Sequence, residues 1–377
     1  MKILVTYVSA GSGHKKAAEA IVRGFERIGR SEGVALHDAL ADATWPFWWL
    51  YPQIYLFLVH YTPWLWGVCY YVSDMSWLYR SVLRWVRRGV NAIGAWRFAQ
   101  RLEREQPDVI ISTHFLASEM AAALKRQKKI RSQLITVITD YGVHALWVVP
   151  GTDWYVVGSE ETKAELLRRG VEASCIHVLG IPVDPEFAEA VDRSALRRAI
   201  GIRDDLPTLL VVSGGFGVGP MLQIVRRLDV ERLGAQMLVV CGRNARLVRQ
   251  AQRIAAGRDG LMHIYGFIDN MDELMAVSDL LITKSGGLTV SEAMARHLPL
   301  VVFTPIPGQE ARNAGFLIKS GAAVQVDRLD QLTAEVQRLL QETGRRHQIQ
   351  RRIRRLAKPE AAVALARMAL RVAKRAE

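Results

Sequence analysis

The sequence has little cysteine and no arrangement of it that suits a disulfide framework or a zinc site. Its three cysteines, Cys69, Cys175 and Cys241, are far apart and form no CxxC pair, which fits a reducing compartment. A signal peptide is not expected, because the opening residues MKILVTYVSAGSGH hold one lysine, a short apolar run and then glycines. This stretch predicts a first β-strand, a turn and a helix.

Two common nucleotide-binding motifs are also missing. No GxxxxGK followed by Ser or Thr occurs, so a P-loop nucleotidase is not indicated, and the turn GSGH does not complete a GxGxxG fingerprint. The chain has 377 residues, half of them apolar. That length and composition favour two packed domains.

The sequence has no Asp, Glu, Lys or Arg between Ala43 and Ser73, and eight of its ten tryptophans lie between Trp45 and Trp96. A run this apolar is long enough to span a bilayer, but prolines at 46, 52 and 63 divide it into pieces that are too short. Tyr and Trp favour the membrane interface, and an arginine-rich stretch follows. We therefore expect segment 45–101 to contact the interface, with core packing or a dimer face as the alternative. The residues expected at this surface include Trp64, Trp66, Arg84, Arg87 and Arg88.

Positive charge is unevenly distributed. The net charge is +13, of which residues 45–101 hold +5 and residues 344–377 hold +9, so the remainder nets −1. Localised basic charge indicates a polyanionic surface, either anionic lipid or nucleic acid, whereas solvated helix faces are the plainer alternative. No RRM, KH or zinc signature is present, which counts against RNA binding.

Strands and helices alternate along both halves of the chain. The candidate strands are 2–8, 34–38, 108–112, 134–139, 154–157, 176–179, a strand from 208, 237–240, 261–265, 279–283, 299–303 and 323–326. This pattern predicts an α/β fold with parallel sheets covered by helices. We expect two Rossmann-like domains, residues 1–190 and 191–377, whose sheets face a central cleft with ligands at the carboxyl ends of the strands.

The N-terminal half offers two candidate catalytic residues at strand ends. A tight turn explains the glycines of Gly11–Gly13, but not His14, which as a neutral imidazole could act as a general base on a hydroxyl. Asp140 ends the strand LITVIT, where it could orient a histidine, accept a sugar hydroxyl, serve as the base or stabilise a turn. His144 and Trp147 lie on the loop that follows.

The C-terminal half carries glycine-rich and polar loops after successive strands. The stretch SGGFGVGP allows close approach to a phosphate, and KSGGLTVSEA predicts a second anion-binding helix N-terminus with an acid that could bind a ribose diol. The polar group in PGQEARNA suits sugar hydroxyls, although ordinary capping accounts for any one of these residues. The candidates are Gly214, Gly215, Gly217, Ser285, Gly286, Gly287, Thr289, Glu292, Gln309, Glu310 and Asn313.

These motifs together make the chain resemble a known family over nearly its whole length. GSGHKKAAEAI and TDYGVHALWV resemble N-terminal signatures of the monogalactosyldiacylglycerol synthase and processive diacylglycerol glucosyltransferase family, within glycosyltransferase family 28. KSGGLTVSEAMARHLPLVV followed by PGQEARNA is similar to the nucleotide-sugar signature of that family. The resemblance implies a GT-B fold and inverting transfer from a UDP-hexose to a diacylglycerol-type lipid that is reached through the aromatic segment.

The resemblance also implies roles for individual residues. His14 and Asp140 are rival bases, while Gly13, His144 and Trp147 belong to the acceptor side. The implied donor contacts are the amides at 214–217 and 285–287 for the diphosphate, Glu292 for the ribose, the backbone near Phe267 and Ile268 for the uracil, and Gln309, Glu310 and Asn313 for the hexose.

Further expectations follow from the same resemblance. No Asp-x-Asp motif appears, so neither a metal nor another cofactor is expected. The last helix is expected to pack back on the N-terminal domain, and the enzyme to lie peripherally at the cytoplasmic face of an anionic membrane, with no nucleic acid partner. The donor loop lacks a proline that plant members carry, so the hexose is not assigned. A lipid-linked N-acetylglucosamine transferase and a UDP-sugar epimerase stay open as alternatives.

Overall fold

The structure, a computed structural model, describes residues 1–9, 11–75, 89–91, 94–215, 217, 219–228, 230–258 and 260–374, with the backbone only at 52, 55 and 231. The predicted membrane-contact residues Arg84, Arg87 and Arg88 lie outside the described residues.

The described residues form twelve strands and sixteen α-helices. The strands are β1 Ile3–Tyr7, β2 Val34–Asp38, β3 Val109–Ser112, β4 Gln133–Val137, β5 Trp154–Val156, β6 Ile176–His177, β7 Thr208–Val212, β8 Gln236–Val240, β9 Met262–Tyr265, β10 Leu280–Thr283, β11 Leu300–Phe303 and β12 Ala323–Val326. The helices are α1 Ser12–Arg27, α2 Trp45–Tyr61, α3 Pro63–Asp74, α4 Trp96–Glu105, α5 Phe115–Arg126, α6 Glu160–Arg168, α7 Arg193–Ile200, α8 Met221–Arg227, α9 Val230–Leu233, α10 Ala245–Ala255, α11 Met271–Val277, α12 Gly287–Ala295, α13 Gln309–Lys319, α14 Leu329–Gln341, α15 Thr343–Leu356 and α16 Ala361–Lys374. Each predicted strand is present.

The chain divides into two compact units. The first contains Met1–Pro185, Pro307–Gln309 and Lys358–Glu377, and the second contains Glu186–Ile306 and Glu310–Ala357. The sequence predicted a division at 190/191, with the last helix packing back on the first domain; residues 307–309 were not expected in the first unit.

Each unit is built on one six-stranded parallel sheet. The strand order is β2-β1-β3-β4-β5-β6 in the first unit and β12-β11-β10-β7-β8-β9 in the second. Central strands such as β3, β7 and β10 are buried along their whole length, as expected for parallel sheets covered on both faces. In each sheet the strand order reverses once: successive strands are added on one side of the first strand and then on its other side. The reversal lies between β1 and β3 in the first sheet and between β7 and β10 in the second. Ligands of open α/β sheets bind outside the carboxyl ends of the strands at such reversals.

Helix α16, from the end of the chain, completes the core of the first unit. Its side chains Leu365, Ala366 and Ala369 are buried in the same cluster as Ile21 of α1 and Ile111 of β3. The two helices approach closely at Gly24, because a Cβ there would lie 2.6 Å from the carbonyl oxygen of Ala362. Only glycine fits this crossing without displacing the partner backbone.

The uncharged aromatic segment folds into α2 and α3. Pro46 and Pro63 stand in the first turns of these helices, where their missing N–H groups cost nothing. Pro52, by contrast, lies inside α2, so the expectation that each proline would interrupt the segment was wrong at this position. Among the described residues no helix is both long enough and apolar enough to cross a bilayer.

Candidate functional site

The strand-order reversal of the first sheet brings the two predicted catalytic residues, His14 and Asp140, together with His114, which was not predicted. His14 lies in the first turn of α1 after β1, His114 caps the N-terminus of α5 after β3, and Asp140 follows β4. Since β1, β3 and β4 are neighbours, their loops meet at one edge. All three side chains line a single cavity of ≈ 330 Å³.

His14 is held in one tautomer. Its Nδ1 lies 2.8 Å from the carbonyl oxygen of Thr113 and 3.1 Å from Oγ1 of Thr139. A carbonyl oxygen only accepts, so Nδ1 carries the proton and Nε2 holds a lone pair. The hydroxyl of Thr113 in turn donates to the carbonyl oxygen of His14 at 2.9 Å, which ties the start of α1 to the loop after β3.

Burial keeps the His14 ring neutral. Loss of solvation lowers the pKa of His14 to about 4, and the hydrogen bond to the Thr113 carbonyl offsets part of that decrease. The rings of His14 and His114 meet edge to face, with centroids 4.7 Å apart. The arrangement therefore presents a neutral, oriented imidazole to the cavity, as a general base requires.

His144 is engaged differently. Its Nδ1 accepts the backbone N–H of Leu146, so Nε2 carries the proton and donates to the carbonyl oxygen of Tyr70 at 2.9 Å. Ser73 Oγ lies 3.2 Å from the same nitrogen. Both ring nitrogens are thus occupied by the chain, and His144, although it lines the cavity, serves to fasten α3 to the loop after β4.

A second set of bonds fixes the same loop. Asp74, the last residue of α3, accepts the N–H of Ala145 at 2.6 Å and pairs with Arg169 at 3.0 Å. Arg169 also pairs with Glu165, whose other oxygen accepts the N–H of Val143 at 2.8 Å. This network joins the aromatic segment to the wall of the cavity.

Most of the cavity wall is aromatic and aliphatic, and sequence reasoning missed much of it. The missed residues are Tyr51, Ile54, Leu58, Tyr70, His114, Phe115 and Leu146. Among the residues that the sequence predicted for the acceptor or membrane side, Trp66 and Trp147 line the cavity, whereas Trp64 is 68% exposed. Gly11 and Gln309, the latter predicted as a hexose contact, also line the cavity. The Trp147 indole is almost completely buried. Gly13 lies in the first turn of α1 beside His14.

The other faces of α2 and α3 are exposed. They present large apolar side chains to solvent: Trp45, Trp48, Trp49, Leu50, Ile54, Phe57, Tyr61, Trp64, Val68, Tyr71, Val72 and Met75. An exposed apolar surface of this extent marks an interaction site. Ile54 belongs both to this surface and to the cavity wall.

At the strand-order reversal of the second sheet, the loops bring backbone groups together rather than aromatic side chains. The loop after β7 contains Gly214, Gly215 and Gly217, and the loop after β8 packs against it, with the N–H of Arg243 bonded to the Gly215 carbonyl at 3.1 Å. Gly242 has φ +62°, and a Cβ there would lie 2.6 Å from the Gly214 carbonyl oxygen. The two loops touch backbone to backbone, which sequence reasoning did not foresee.

Loops after β10 and β11 form a polar network beside it. Ser285, completely buried, donates from Oγ to the carbonyl oxygen of Glu310 at 2.6 Å, and Asn313, also buried, donates from Nδ2 to the carbonyl oxygen of Ser285 at 2.9 Å. The Glu310 carboxylate meets Lys284 Nζ at 3.3 Å and the N–H of Ile306 at 3.0 Å. Thus Glu310 and Asn313, predicted as sugar contacts, also hold these loops together.

Helix α12 begins beside this network with an open end. Its N-cap is Gly286, which offers no side-chain cap, and Gly287 is the first helical residue. The half-buried Thr289 and Glu292 follow in the next turn. The first N–H groups of such a helix attract anions.

The predicted uracil contacts follow β9 at the end of the second sheet. Phe267 is exposed and Ile268 is half-buried. The guanidinium of Arg243 lies 4.6 Å from the centroid of the Phe267 ring, so the loops after β8 and β9 also meet. Within the described ranges no three His, Cys, Asp or Glu side chains are grouped to hold a metal ion; the expectation of a metal-independent reaction stays a prediction.

Comparisons with known proteins identify the family of the chain. Residues 14–183 match the model of the monogalactosyldiacylglycerol (MGDG) synthase family, and residues 208–367 match the glycosyltransferase family 28 C-terminal domain. A probable chloroplastic monogalactosyldiacylglycerol synthase from Glycine max is 33% identical over 85% of this chain, which spans 61% of that protein's length. A processive diacylglycerol beta-glucosyltransferase from Bacillus mycoides is 28% identical over 96% of this chain and 91% of its own.

Solved structures show the fold. MurG from Acinetobacter baumannii superposes with a TM-score of 0.60 over 98% of this chain and 100% of its own, at 14% identity. The protein therefore has the GT-B fold. Because the two family models match successive parts of the chain and together cover most of it, the chain belongs to the family of monogalactosyldiacylglycerol synthases and processive diacylglycerol glucosyltransferases within glycosyltransferase family 28.

Proposed function

We propose that the protein is an inverting transferase that moves a hexose from a UDP-sugar to diacylglycerol or a related membrane lipid. The observation that carries the proposal is the His14 imidazole, neutral and held by Thr113, on the wall of an apolar cavity at the strand-order reversal of the first sheet. The names of the relatives, a monogalactosyldiacylglycerol synthase and a diacylglycerol beta-glucosyltransferase, support a diacylglycerol acceptor and a transferred hexose.

The cavity suits the alcohol end of a lipid. Tyr51, Leu58 and Phe115 offer apolar contact to the carbons of the glycerol and of the first acyl methylenes. The free hydroxyl then lies toward His14 and Asp140, two of the polar side chains on the wall.

The reaction is a single displacement. Nε2 of His14 takes the proton of the lipid hydroxyl, the oxygen attacks the anomeric carbon of the hexose, and the bond from that carbon to the UDP oxygen breaks with inversion. UDP leaves with the bonding electrons. Asp140 lines the same cavity and is the rival for the proton.

The second unit is proposed to hold the donor. The diphosphate lies on the amides of the glycine loop after β7 and of the open start of α12, which stabilise the charge of the departing UDP without a metal ion. Glu292 binds the ribose, and the backbone at Phe267 and Ile268 meets the uracil. The proposed hexose contacts in this unit are Glu310 and Asn313, whereas Gln309, also predicted as a hexose contact, lies in the first unit on the wall of its cavity. The Glu310 carboxylate keeps lone pairs for a sugar hydroxyl beside its two bonds within the chain.

The enzyme is proposed to lie peripherally on the cytoplasmic face of an anionic membrane. The exposed aromatic side of α2 and α3 enters the interface, where Trp and Tyr are favoured. Exposed arginines on α15, namely Arg351, Arg352, Arg354 and Arg355, add electrostatic attraction of roughly 1 kcal/mol for each residue near the surface. Nucleic acid is not a proposed partner.

A transfer assay tests the proposal. Purified protein is incubated with labelled UDP-glucose, UDP-galactose or UDP-N-acetylglucosamine and with vesicles that contain diacylglycerol and anionic lipid. We expect label in the lipid phase from at least one UDP-hexose. Label that stays in water, or a UDP-sugar isomerised without acceptor, would identify an epimerase instead. Lipid label from UDP-N-acetylglucosamine alone would identify the N-acetylglucosamine transferase.

A further inference from the structure

The loop after β4, which forms part of the cavity wall, is held by two carboxylates from other elements. Val143 and Ala145 lie on either side of the cavity residue His144. The N–H of Val143 donates to Oε2 of Glu165, a residue of α6, at 2.8 Å. The N–H of Ala145 donates to Oδ1 of Asp74, the last residue of α3, at 2.6 Å. Both amides that flank His144 are thus fixed by carboxylates.

Arg169 joins these two carboxylates. Its Nη2 lies 3.0 Å from Asp74 Oδ2 and 3.2 Å from Glu165 Oε1, so one nitrogen bridges the two oxygens that do not hold the loop. The side chains of Asp74, Arg169 and Glu165 are 10%, 20% and 22% exposed. We call these three residues the Arg169 clamp. Without the guanidinium, the two carboxylates would face each other, and like charges at such a separation repel.

Apolar packing carries the position of this loop to the cavity. Leu166 of α6 lies in one buried cluster with Val143 and Trp147. The Trp147 indole lines the cavity, with its ring centroid 6.3 Å from that of His14. His14 itself is oriented by the carbonyl of Thr113, on a different loop. The clamped loop therefore sets the space beside the proposed base, whereas the base is oriented separately.

Helix stability alone does not account for the clamp. Glu165 and Arg169 stand four residues apart, a spacing at which an ion pair stabilises a helix only slightly. Asp74 is 95 residues away from Arg169 in sequence, and it brings a second carboxylate into a mostly buried site, which costs desolvation. What the arrangement provides in addition is a fixed loop, because each carboxylate uses its other oxygen on a backbone N–H of that loop.

We propose that Arg169 is a positioning residue for the lipid acceptor. It holds Asp74 and Glu165 in place, and these two carboxylates hold the loop that carries Trp147 into the cavity wall. The inference rests on the proposed function, because the acceptor is the lipid alcohol of that reaction. Arg169 acts through its two partners and transfers no proton. The clamp also ties the end of α3, and so the aromatic segment, to the place where the acceptor binds.

Transfer kinetics on the full-length protein, with diacylglycerol in anionic vesicles, test this role. Substituting Arg169→Met removes the charge and keeps an unbranched side chain. We expect KM for diacylglycerol to rise about 10- to 100-fold, the effect of displacing part of a site by about 1 Å. At saturating lipid kcat should stay close to that of the unaltered protein, the pattern of lost uniform binding. UDP affinity by calorimetry and vesicle binding by flotation should not change.

The control is Arg168→Met, at the exposed arginine that precedes the clamp residue, which should leave KM unchanged. Arg169→Lys should retain most of the acceptor affinity, because one ammonium also has donors for two carboxylates. A double variant tests the repulsion directly. In Arg169→Met with Glu165→Gln, one negative charge is gone while an amide oxygen can still accept the N–H of Val143, so KM should return toward the unaltered value.

An unchanged KM in Arg169→Met would show that the inference is wrong while the proposed function stands. A double variant no better than the single one would overturn it as well. A single variant that loses UDP affinity and kcat together with acceptor affinity would assign Arg169 a purely structural role and also overturn the inference. An unaltered protein that transfers no hexose to lipid would overturn the proposed function itself and, with it, this role of Arg169.

Discussion

The two strand-order reversals use the same topology for opposite chemistry. In the first unit the loops after β1, β3 and β4 bring histidine, carboxylate and aromatic side chains around an apolar cavity. In the second unit the loops after β7, β8 and β10 bring glycine backbone, an ion pair and an open helix start together. Parallel-sheet topology thus decides where a ligand binds, whereas the loops decide whether the site is apolar or suited to an anion.

The largest effect is expected from removing the imidazole of the first unit. Substituting His14→Ala should lower kcat for hexose transfer by about 10²- to 10⁴-fold, the usual contribution of a positioned general base. UDP affinity should not change, because the donor loops belong to the second unit. Transfer kinetics and calorimetry on the same preparation measure both.

The control for that variant is His347→Ala, an exposed histidine of α15, which should leave kcat unchanged. Asp140→Asn is the decisive companion. If His14→Ala retains near-normal turnover and Asp140→Asn does not, the base is Asp140 and our assignment of the proton transfer is wrong.

The aromatic face of the first unit should show the next largest effect. Replacing Trp48, Trp49 and Phe57 together by serine removes three large exposed side chains from α2. If each contributes about 1.5–3 kcal/mol on burial in the interface, binding to anionic vesicles should fall at least 100-fold in a flotation assay. Leu167→Ser, at an exposed apolar residue of α6 outside this face, is the control. Unchanged flotation of the triple variant would remove the membrane role from this face.

Two glycine substitutions, one in each unit, test the close backbone contacts of the two units separately. In Gly24→Ala the new methyl group meets the Ala362 carbonyl, and in Gly242→Ala it meets the Gly214 carbonyl at a positive φ. Each should lower the free energy of unfolding by about 1–3 kcal/mol, as overpacking does, measured by denaturant titration. Gly24→Ala should spare UDP affinity, whereas Gly242→Ala should reduce it. Gly344→Ala, an open position in α15, should be neutral or slightly stabilising; equal losses in all three would refute the close-approach explanation.

The pH dependence should show the smallest change. Because burial lowers the pKa of His14 to about 4, the ring is already neutral at pH 5.5, and kcat/KM should stay nearly flat from pH 8 to that value. A histidine at its ordinary pKa of about 6.5 would lose most of its neutral form there. The same pKa shift makes the free energy of unfolding depend on pH. As pH drops from 6.5 toward 4, the unfolded chain binds the proton at His14 before the folded chain does, so stability falls.

An activity limb centred near 6.5 that is absent in a His14 variant would show that the ring is solvated in the working enzyme. Titration of the His14 ring by NMR gives the same quantity without turnover.

Much of the architecture could be predicted from the sequence because its signals are local. Runs such as LLVV in β7 and LLIT in β10 are continuous and β-branched or aliphatic, which is the mark of buried parallel strands. Asp140 could be predicted because it directly follows such a run, and His14 because it begins the helix after one. Their meeting in one cavity required the strand order, which sequence periodicity does not contain.

The missed residues have physical reasons of their own. His114 follows β3 just as His14 follows β1, but only the adjacency of the two strands reveals it as a cavity residue. On α2 and α3 apolar side chains occur on all sides, so no polar stripe shows that Tyr51 and Leu58 turn inward while Trp49 turns out. Arg169 and Gly242 acquire meaning through contacts with segments that are distant in sequence.

The return of α16 to the first unit has a consequence for how the molecule is made. The last strand of that unit, β6, leaves the ribosome long before Ala361 does, and at 5–20 residues per second the interval is roughly 10–40 s. During that time the apolar side chains of Ile21, Phe25 and Ile111 are uncovered, because α16 packs against them only in the finished protein. The nascent chain therefore exposes this apolar face until α16 emerges, and no single cut separates the chain into the two compact units.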